Sequence, residues 1–389
     1  MMNGDESRPP PGIPARALRE VAAHRAFFPL AMLLAAVEIP VWAMLYRVRP
    51  GLAVWHAHEM LFGYALAVVA GFLLARLEWR LLAALTAAWL VARLAVPVGI
   101  PVAGGIAAFG FAAGLAAIGS RRFLRAARKG RNRMFAVMLV GMAAGEGLFQ
   151  AGVSGLVADG EWRGILLMLD LVTLIMLQMG GRVIPAATAG ALQRRGIGLP
   201  NRVQPRVETA LGASMVALIL ADQAPAMSPL AVIAGSAAAL LAGFRLLRWH
   251  GWMIWRQSDL FALHIGYGWL VAGLGLRAAA ALLPAIPPMA GIHALSIGAL
   301  GTLTTTMMLR TAGRNSPGQI PSRRIAAVMA MIAVAASLRI VSAFSGSPGA
   351  IFAAAGCWTV ALLVALSAIF RTQPNRRQRA AYEGRSGVA

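Results

Sequence analysis

Apolar runs of about 20 residues, separated by prolines and arginines, recur along the whole sequence. A helix of that length crosses the ~30 Å hydrocarbon layer of a bilayer. Roughly twelve such runs are present, and they span residues 26–46, 56–76, 80–99, 102–119, 134–157, 164–180, 207–222, 228–247, 259–277, 289–310, 323–342 and 348–370. The sequence therefore predicts an all-α, polytopic integral membrane protein with about twelve transmembrane helices.

The composition also indicates a membrane protein. The chain has 389 residues, of which 59% are hydrophobic and 13% charged, whereas soluble domains carry about 25% charged residues. The net charge of +22 comes from basic residues that lie almost wholly between the apolar runs. This placement favours the lipid bilayer as a partner and argues against nucleic acid. Because Cys357 is the only cysteine, a metal would have to be bound by histidine, methionine or carboxylate.

The distribution of arginine and lysine predicts the orientation of the chain. Basic connections stay on the cytoplasmic side of a membrane, and the basic connections here include 121–133 and 182–206. Connections such as 223–227 and 284–288 carry no charged residue. Both termini are therefore expected in the cytoplasm.

The same pattern predicts a single membrane-embedded domain. Residues 1–25 form a cytoplasmic N-terminal tail, residues 26–370 a transmembrane helical domain, and residues 371–389 a basic cytoplasmic C-terminal tail. We expect no soluble domain, because no polar connection reaches about 50 residues.

Four histidines lie within or at the ends of apolar runs, where an ionisable group costs about 2.5–3.5 kcal/mol and usually has a function. In the predicted topology His56, His58 and His293 share one level near the outer ends of two helices. His264 lies roughly one to two turns in from the cytoplasmic side of another helix. Neutral imidazole binds both iron and copper, so these four residues are the candidate metal ligands.

His56 and His58 are separated by one residue. On a regular helix such side chains point about 200° apart, so the two imidazoles would serve two different centres. Glu59 shares a face with His56 and is expected to orient that imidazole or to pass protons. In the alternative interpretation the two histidines only form hydrogen bonds at the membrane interface, beside Trp55.

Small residues follow two of these histidines. Gly63 comes after His58 with the same spacing that places Gly298 after His293, which hints at an internal repeat. Small residues in a membrane helix let another body approach closely. That body is a neighbouring helix or, next to a histidine, a flat macrocycle.

Residues 180–186 combine two glycines, Arg182 and Pro185 at the predicted end of a helix. This string predicts a tight turn in which Arg182 offers its guanidinium to an anion such as a haem propionate or a lipid headgroup. The alternative is that the string only ends the helix and that Arg182 is one of the basic residues that keep this connection in the cytoplasm.

Other ionisable residues lie inside the apolar runs. They are Glu38, Arg93, Glu146, Asp170 and Arg339. Any of the carboxylates can carry protons, and either arginine can pair with one of them.

Several strings of the sequence resemble the NnrS family of bacterial membrane proteins. They are residues 55–63 continuing to 71–74, residues 181–186, residues 263–267 and residues 293–302. The resemblance implies a polytopic haem- and copper-containing protein of the bacterial inner membrane, linked to nitric oxide metabolism and nitrosative-stress tolerance in denitrifying and related bacteria. It implies haem b and copper as cofactors, with His56, His58, His264 and His293 at the positions of the family's histidines.

The sequence departs from the family pattern at two places. Gln150 stands where many members have a histidine late in the fifth helix. Residues 186–189 read Ala-Ala-Thr-Ala, where an aromatic and a basic residue are common.

The resemblance predicts a haem, or haem and copper, membrane protein that binds, senses or detoxifies nitric oxide. Redox turnover of nitric oxide is a stronger form of this hypothesis, and it requires an electron donor that the sequence does not identify. The alternative is a proton-coupled multi-pass transporter whose intramembrane histidines and Glu59 carry protons or substrate.

Overall fold

The structure is a computed structural model that describes residues 20–49, 51–125, 130–199, 203–314 and 320–372. These residues form fourteen α-helices, two π-helical segments, two short 3₁₀ turns and one small sheet. The α-helices are α1 His24–Leu45, α2 Leu52–His58, α3 Leu66–Leu73, α4 Trp79–Leu94, α5 Pro101–Arg125, α6 Gly130–Val153, α7 Gly160–Gln193, α8 Pro205–Asp222, α9 Ser228–Leu247, α10 Ser258–Leu282, α11 Pro288–His293, α12 Thr302–Arg314, α13 Ser322–Ser345 and α14 Pro348–Arg371.

Within the described residues, ten helical rods are long and apolar enough to cross a membrane. Each of the predicted apolar runs lies on a helix or on one of these rods. Two of the runs lie on α4 and α8, which are not long and apolar enough to be counted among the ten. The all-α membrane architecture is therefore confirmed. The count of about twelve spans stays a prediction, as does the cytoplasmic placement of both termini, most of whose residues lie outside the described ranges.

The longest helix corrects one prediction. α7 continues to Gln193, so Arg182 and Pro185 lie inside a helix and the tight turn predicted there is wrong. The segment after Pro185 still buries apolar residues against its neighbours, and this packing favours continued helix. Glycine and proline are tolerated in membrane helices because neighbouring groups satisfy the freed backbone atoms.

A small sheet closes one end of the molecule. β1 Glu20–Ala22 pairs antiparallel with β2 Arg76–Glu78. Arg122 of α5 donates to the Leu74 and Arg76 carbonyl oxygens beside it. Strands of three residues are too short to show a periodic sequence pattern, so the sequence does not predict them. The small sheet departs from the predicted all-α chain, but the fold class stays all-α.

Two π-helical segments interrupt the membrane rods. π1 Glu59–Ala65 directly follows α2, which ends at His58, and π2 Ala294–Gly301 directly follows α11, which ends at His293. The similarity that the sequence shows between the two strings thus extends to the backbone. π-Helical segments are rare and occur frequently at functional sites.

Hydrogen bonds between distant helices fix one wall of the cavity that His56 and His293 line. α1 packs against α14, and the Trp358 indole of α14 donates to the Ala35 carbonyl oxygen of α1 at 3.1 Å. The Thr359 hydroxyl donates to the next carbonyl oxygen of α1, at 3.1 Å. These bonds hold α14 against the half of α1 that carries Glu38 and Trp42.

Candidate functional site

A cavity of about 230 Å³ lies between α1, α2, α7, α11, α13 and α14. Its walls are mainly aliphatic and aromatic, and its polar lining side chains include His56, His293, Ser296 and Arg339. The structure therefore brings two of the four candidate histidines into one apolar chamber. The sequence predicts one membrane level for His56, His58 and His293, and two of these three residues line this cavity.

His56 is held by a carboxylate. Its Nδ1 lies 2.9 Å from Oε1 of Glu38, and its ring stacks on Trp42 with the ring centroids 4.5 Å apart. In the neutral tautomer whose Nδ1–H donates to this carboxylate, Nε2 is the nitrogen that keeps its lone pair. A carboxylate that orients a histidine in this way is typical of metal sites. The sequence shows Glu38 as an intramembrane acid, but no pattern links it to a histidine 18 residues away.

His293 is held by the backbone of its own helix. Its Nδ1 donates to the Met289 carbonyl oxygen at 2.7 Å. The side chain is buried, and the ring lines the cavity. Here too Nε2 is the nitrogen with a lone pair, so both histidines of the cavity have the form that a metal requires.

Arg339 supplies positive charge at the cavity wall. Its guanidinium lies over the Trp42 ring at 5.6 Å and donates to the Ser342 hydroxyl at 2.8 Å. Trp42 thus contacts both His56 and Arg339. Of the two arginines that could pair with an intramembrane carboxylate, Arg93 does so, whereas the described contacts of Arg339 are an aromatic ring and a hydroxyl.

His58 faces a different environment. Its Nε2 lies 3.0 Å from Oε2 of Glu146, its Nδ1 lies 3.5 Å from Oε1 of Glu59, and its ring stacks on Phe149. The predicted separation of His56 and His58 is confirmed, because they contact different helices. Both nitrogens of His58 face carboxylates, so neither points into the cavity in this arrangement. Its role as a metal ligand stays a prediction.

Glu59 belongs to the His58 environment and not to that of His56. Its carboxylate lies 2.8 Å from Nη1 of Arg93. The expected pairing of Glu59 with His56 is therefore wrong, because Glu38 from α1 occupies that place. A role of Glu59 in proton transfer stays a prediction.

Gln150 extends the cluster around His58. Its amide donates to Oε1 of Glu146 at 2.7 Å. Gln150, which departs from the family pattern, is therefore linked to His58 through the Glu146 carboxylate. Residues 186–189, the other departure, lie in the cytoplasm-facing half predicted for α7.

His264 lies apart from the cavity. Its Nδ1 donates to the Leu260 carbonyl oxygen at 3.1 Å, and its Nε2 lies 3.3 Å from the Thr188 hydroxyl. The backbone of Gly251 lies directly against the ring, because a Cβ there would come within 2.4 Å of the His264 Cδ2. This separation agrees with the prediction that His264 belongs to another layer.

The paired glycines beside Arg182 serve a different arginine. A Cβ on Gly181 would lie 2.6 Å from Nη1 of Arg245, a buried residue that donates to Glu208 at 2.6 Å and to Tyr267. Arg182 itself lies over the Phe135 ring at 5.1 Å. The glycines therefore make room for Arg245, and an anion at Arg182 stays a prediction.

Protein side chains cover the glycines that follow the two histidines. A Cβ on Gly298 would lie 2.6 Å from Trp269, and one on Gly301 would lie 2.6 Å from Trp358. At Gly63 the nearest atoms belong to Leu34 and Arg93. The alternative of a neighbouring helix is therefore correct here, and a macrocycle lying on these glycines is wrong.

The residues that line the cavity have the chemistry that a haem requires. Haem iron takes an axial imidazole, its ring requires apolar walls, and its carboxylates pair with arginine. The cavity offers the Nε2 atoms of His56 and His293, apolar walls and Arg339. In the described ranges no three His, Cys, Asp or Glu side chains converge to hold a metal ion, so a metal there would have one or two protein ligands.

A family described as NnrS protein matches residues 21–372. No curated protein matches the chain.

Proposed function

Because the chain belongs to the NnrS family over residues 21–372, we propose that it is a haem membrane protein that binds nitric oxide in the cavity of His56 and His293. Family membership supports a haem protein related to nitric oxide at the level of the family. The multi-pass helices make it a membrane protein. Its residence in a bacterial inner membrane is part of the proposal.

The arrangement of the two cavity imidazoles carries this proposal. Each has its Nδ1 hydrogen held by an oxygen acceptor, at Glu38 for His56 and at Met289 for His293. Each therefore presents Nε2, the nitrogen that binds iron in most haem proteins. By contrast, both nitrogens of His58 are directed at carboxylates.

We assign the permanent ligand to His293. It is buried in the membrane rod, and the carbonyl that orients it belongs to the preceding turn of the same helix, so its ring position does not depend on another element. His56 depends on Glu38 of α1 and is more accessible. His56 would therefore be the more weakly held of the two imidazoles that face the cofactor.

The other residues of the cavity would hold the cofactor and exclude water. Arg339 would pair with a propionate, and the aliphatic and aromatic walls would cover the ring. Bound haem would supply an iron whose open position takes a diatomic ligand. Redox turnover would need an electron donor, whose identity stays open.

Copper does not fit the remaining histidine. Copper in proteins is bound by several nitrogen or sulfur ligands. The described contacts of the His264 nitrogens are a backbone carbonyl and the Thr188 hydroxyl. We therefore assign copper to no residue, and a copper determination decides whether the family's second metal is present.

The test is the reduced-minus-oxidised absorption spectrum of the detergent-purified protein after haem-replete expression, before and after nitric oxide is added, with iron and copper measured on the same sample. We expect haem bands that shift with nitric oxide, one iron per chain or more, and loss of the bands in His293→Ala. His56→Ala should keep the haem and change its spectrum. His24→Ala, which changes a histidine outside the cavity, serves as the matched control.

A protein that contains no haem after such expression would contradict the proposal. A second candidate is then a proton-coupled transporter. The buried charged groups His58, Glu59, Arg93 and Glu146 favour it, because ionisable clusters inside a membrane often mark ion pathways. Proton-driven uptake into proteoliposomes, abolished by Glu146→Gln, would support that function.

A further inference from the structure

Three charged residues form a chain beside the candidate cavity. Oδ1 of Asp170 on α7 accepts a hydrogen bond from Nη1 of Arg277 on α10 at 2.6 Å, and Nη2 of Arg277 donates to Asp222 at the end of α8 at 2.6 Å. We call Asp170, Arg277 and Asp222 the acidic triad. It uses none of the residues of the proposed haem site.

The acidic triad has an excess of negative charge. With both carboxylates ionised, one guanidinium faces two negative groups, and the net charge is −1. The side chains of Arg277 and Asp222 are each 14% exposed, whereas that of Asp170 is 0% exposed. Solvent can therefore stabilise Asp222 but not Asp170, and an uncompensated charge in the interior is costly.

An unsatisfied oxygen lies at the buried end of the triad. Oδ2 of Asp170 is buried without a hydrogen-bond partner, and so is the hydroxyl of Thr173. Positions three apart on a helix lie on the same side, so Thr173 follows Asp170 along one face of α7. Buried polar atoms without partners are rare and indicate a missing group at that point.

A proton accounts for both observations. Bound to Oδ2, it cancels the excess charge, and a neutral carboxylic acid costs far less to bury than a carboxylate. A metal cation would require about six oxygen ligands. In the part of the chain that the structure describes, the side chains around Asp170 do not form a metal-binding group.

We propose that the acidic triad is a proton-binding site, in which Asp170 takes up one proton from solvent by way of Asp222. An O–H bond forms at Oδ2 of Asp170, and the proton comes from water at the exposed end of the triad. Among the described residues, the charged groups that face Asp170 are Arg277 from α10 and Asp222 from α8. The site does not depend on haem, so it can be tested whatever the cofactor content.

The acidic triad packs against α11, the helix that ends at His293. The backbone of Gly291 on α11 lies against Arg277, because a Cβ on Gly291 would come within 2.7 Å of the Arg277 backbone nitrogen. Asp170 also directly follows Leu169, which lines the candidate cavity. The site thus places an exchangeable proton next to the cavity and outside it.

Infrared difference spectroscopy of the purified full-length protein across a pH series tests this inference. A protonated carboxylic acid has a carbonyl stretch that shifts in D₂O. We expect one such band to appear on acidification and to be lost in Asp170→Asn. In Asp222→Asn the remaining Asp170 and Arg277 charges cancel, so the same band should appear only at a lower pH.

Two results would overturn the proposal. One is an unchanged band in Asp170→Asn, which would assign the proton to another carboxylate. The other is an unchanged midpoint in Asp222→Asn, which decides the question even when Asp170→Asn does not fold.

Discussion

His58 and His293 end their α-helices in the same way, and each is followed by a π-helical segment, yet they lie in opposite chemical environments. His58 contacts two carboxylates, Glu59 and Glu146, and belongs to a buried charged cluster. His293 donates to a backbone carbonyl and lines an apolar cavity. The comparison teaches that the local backbone positions the ring, whereas residues from other helices decide its chemistry.

Charge balance explains what each imidazole does. Around His58 lie the carboxylates of Glu59 and Glu146 and the guanidinium of Arg93. A doubly protonated His58 brings the sum to zero, so this ring contributes a charge that the cluster requires. The described partner of the His293 ring is a backbone carbonyl oxygen, so this ring contributes a lone pair, which suits a ligand more than a counter-ion.

The largest effect is expected when the two histidines are replaced in turn by alanine. His58→Ala leaves Glu146 buried without its cation, and removing one partner of a buried ion pair costs roughly 3–5 kcal/mol. His293→Ala removes no charge and should destabilise the apoprotein less, while abolishing haem binding. The measurements are denaturant unfolding in detergent and haem content of the purified variants.

The opposite pattern would reverse the two assignments. If His58→Ala loses haem at unchanged stability, then the metal-ligand role predicted for His58 from the sequence is correct. His58→Gln is a useful companion variant, because it fills the space without the charge. It should recover little of the lost stability.

The sequence predicts the membrane helices well because long apolar runs have few alternatives. It also predicts that His56 and His58 face different sides, since this follows from helical geometry alone. It does not predict the partners of these rings, because Glu38 and Glu146 come from helices 18 and 88 residues away. No single-sequence signal encodes such pairings.

The sequence also does not predict which groups the small residues contact. Gly181 suggests a close approach, and the structure shows that the approaching group is Arg245 from another helix. The continuation of α7 through Pro185 depends on neighbours that satisfy its backbone, which a local pattern does not reveal. Tertiary context therefore decides what the local motif means.

A smaller difference in stability is expected between alanine variants of the glycines in the two π-helical segments. A Cβ on Gly298 meets the rigid Trp269 ring at 2.6 Å, whereas a Cβ on Gly63 meets the ends of the Leu34 and Arg93 side chains at 2.7 and 2.9 Å. Overpacking costs typically about 1–3 kcal/mol. We expect Gly298→Ala to reach that range and Gly63→Ala to stay below it, because flexible side chains can move. The comparison is made by unfolding in detergent.

Gly356→Ala is the matched control for both variants. Gly356 lies within α14, and a Cβ at this position would meet no neighbouring group within 4 Å. The stability of this variant should stay the same or rise, because alanine favours helix over glycine by about 0.5–1 kcal/mol. Equal losses in Gly298→Ala and Gly63→Ala would show that Trp269 can move as easily as a flexible side chain.

The smallest effect concerns Gln150, which supports the His58 side of the comparison alone. Gln150 donates to Glu146 at 2.7 Å, and a hydrogen bond to a charged group contributes about 1.5–3 kcal/mol. Because Gln150 is only partly buried, water can replace its amide in part, so Gln150→Leu should cost about 1.5 kcal/mol or less and leave haem content unchanged. Ser154→Ala, an exposed change directly after the end of the same helix, should stay within about 0.5 kcal/mol of the parent protein. A loss of haem in Gln150→Leu would instead connect the charged cluster to the cofactor, and the two histidine environments would then form one site.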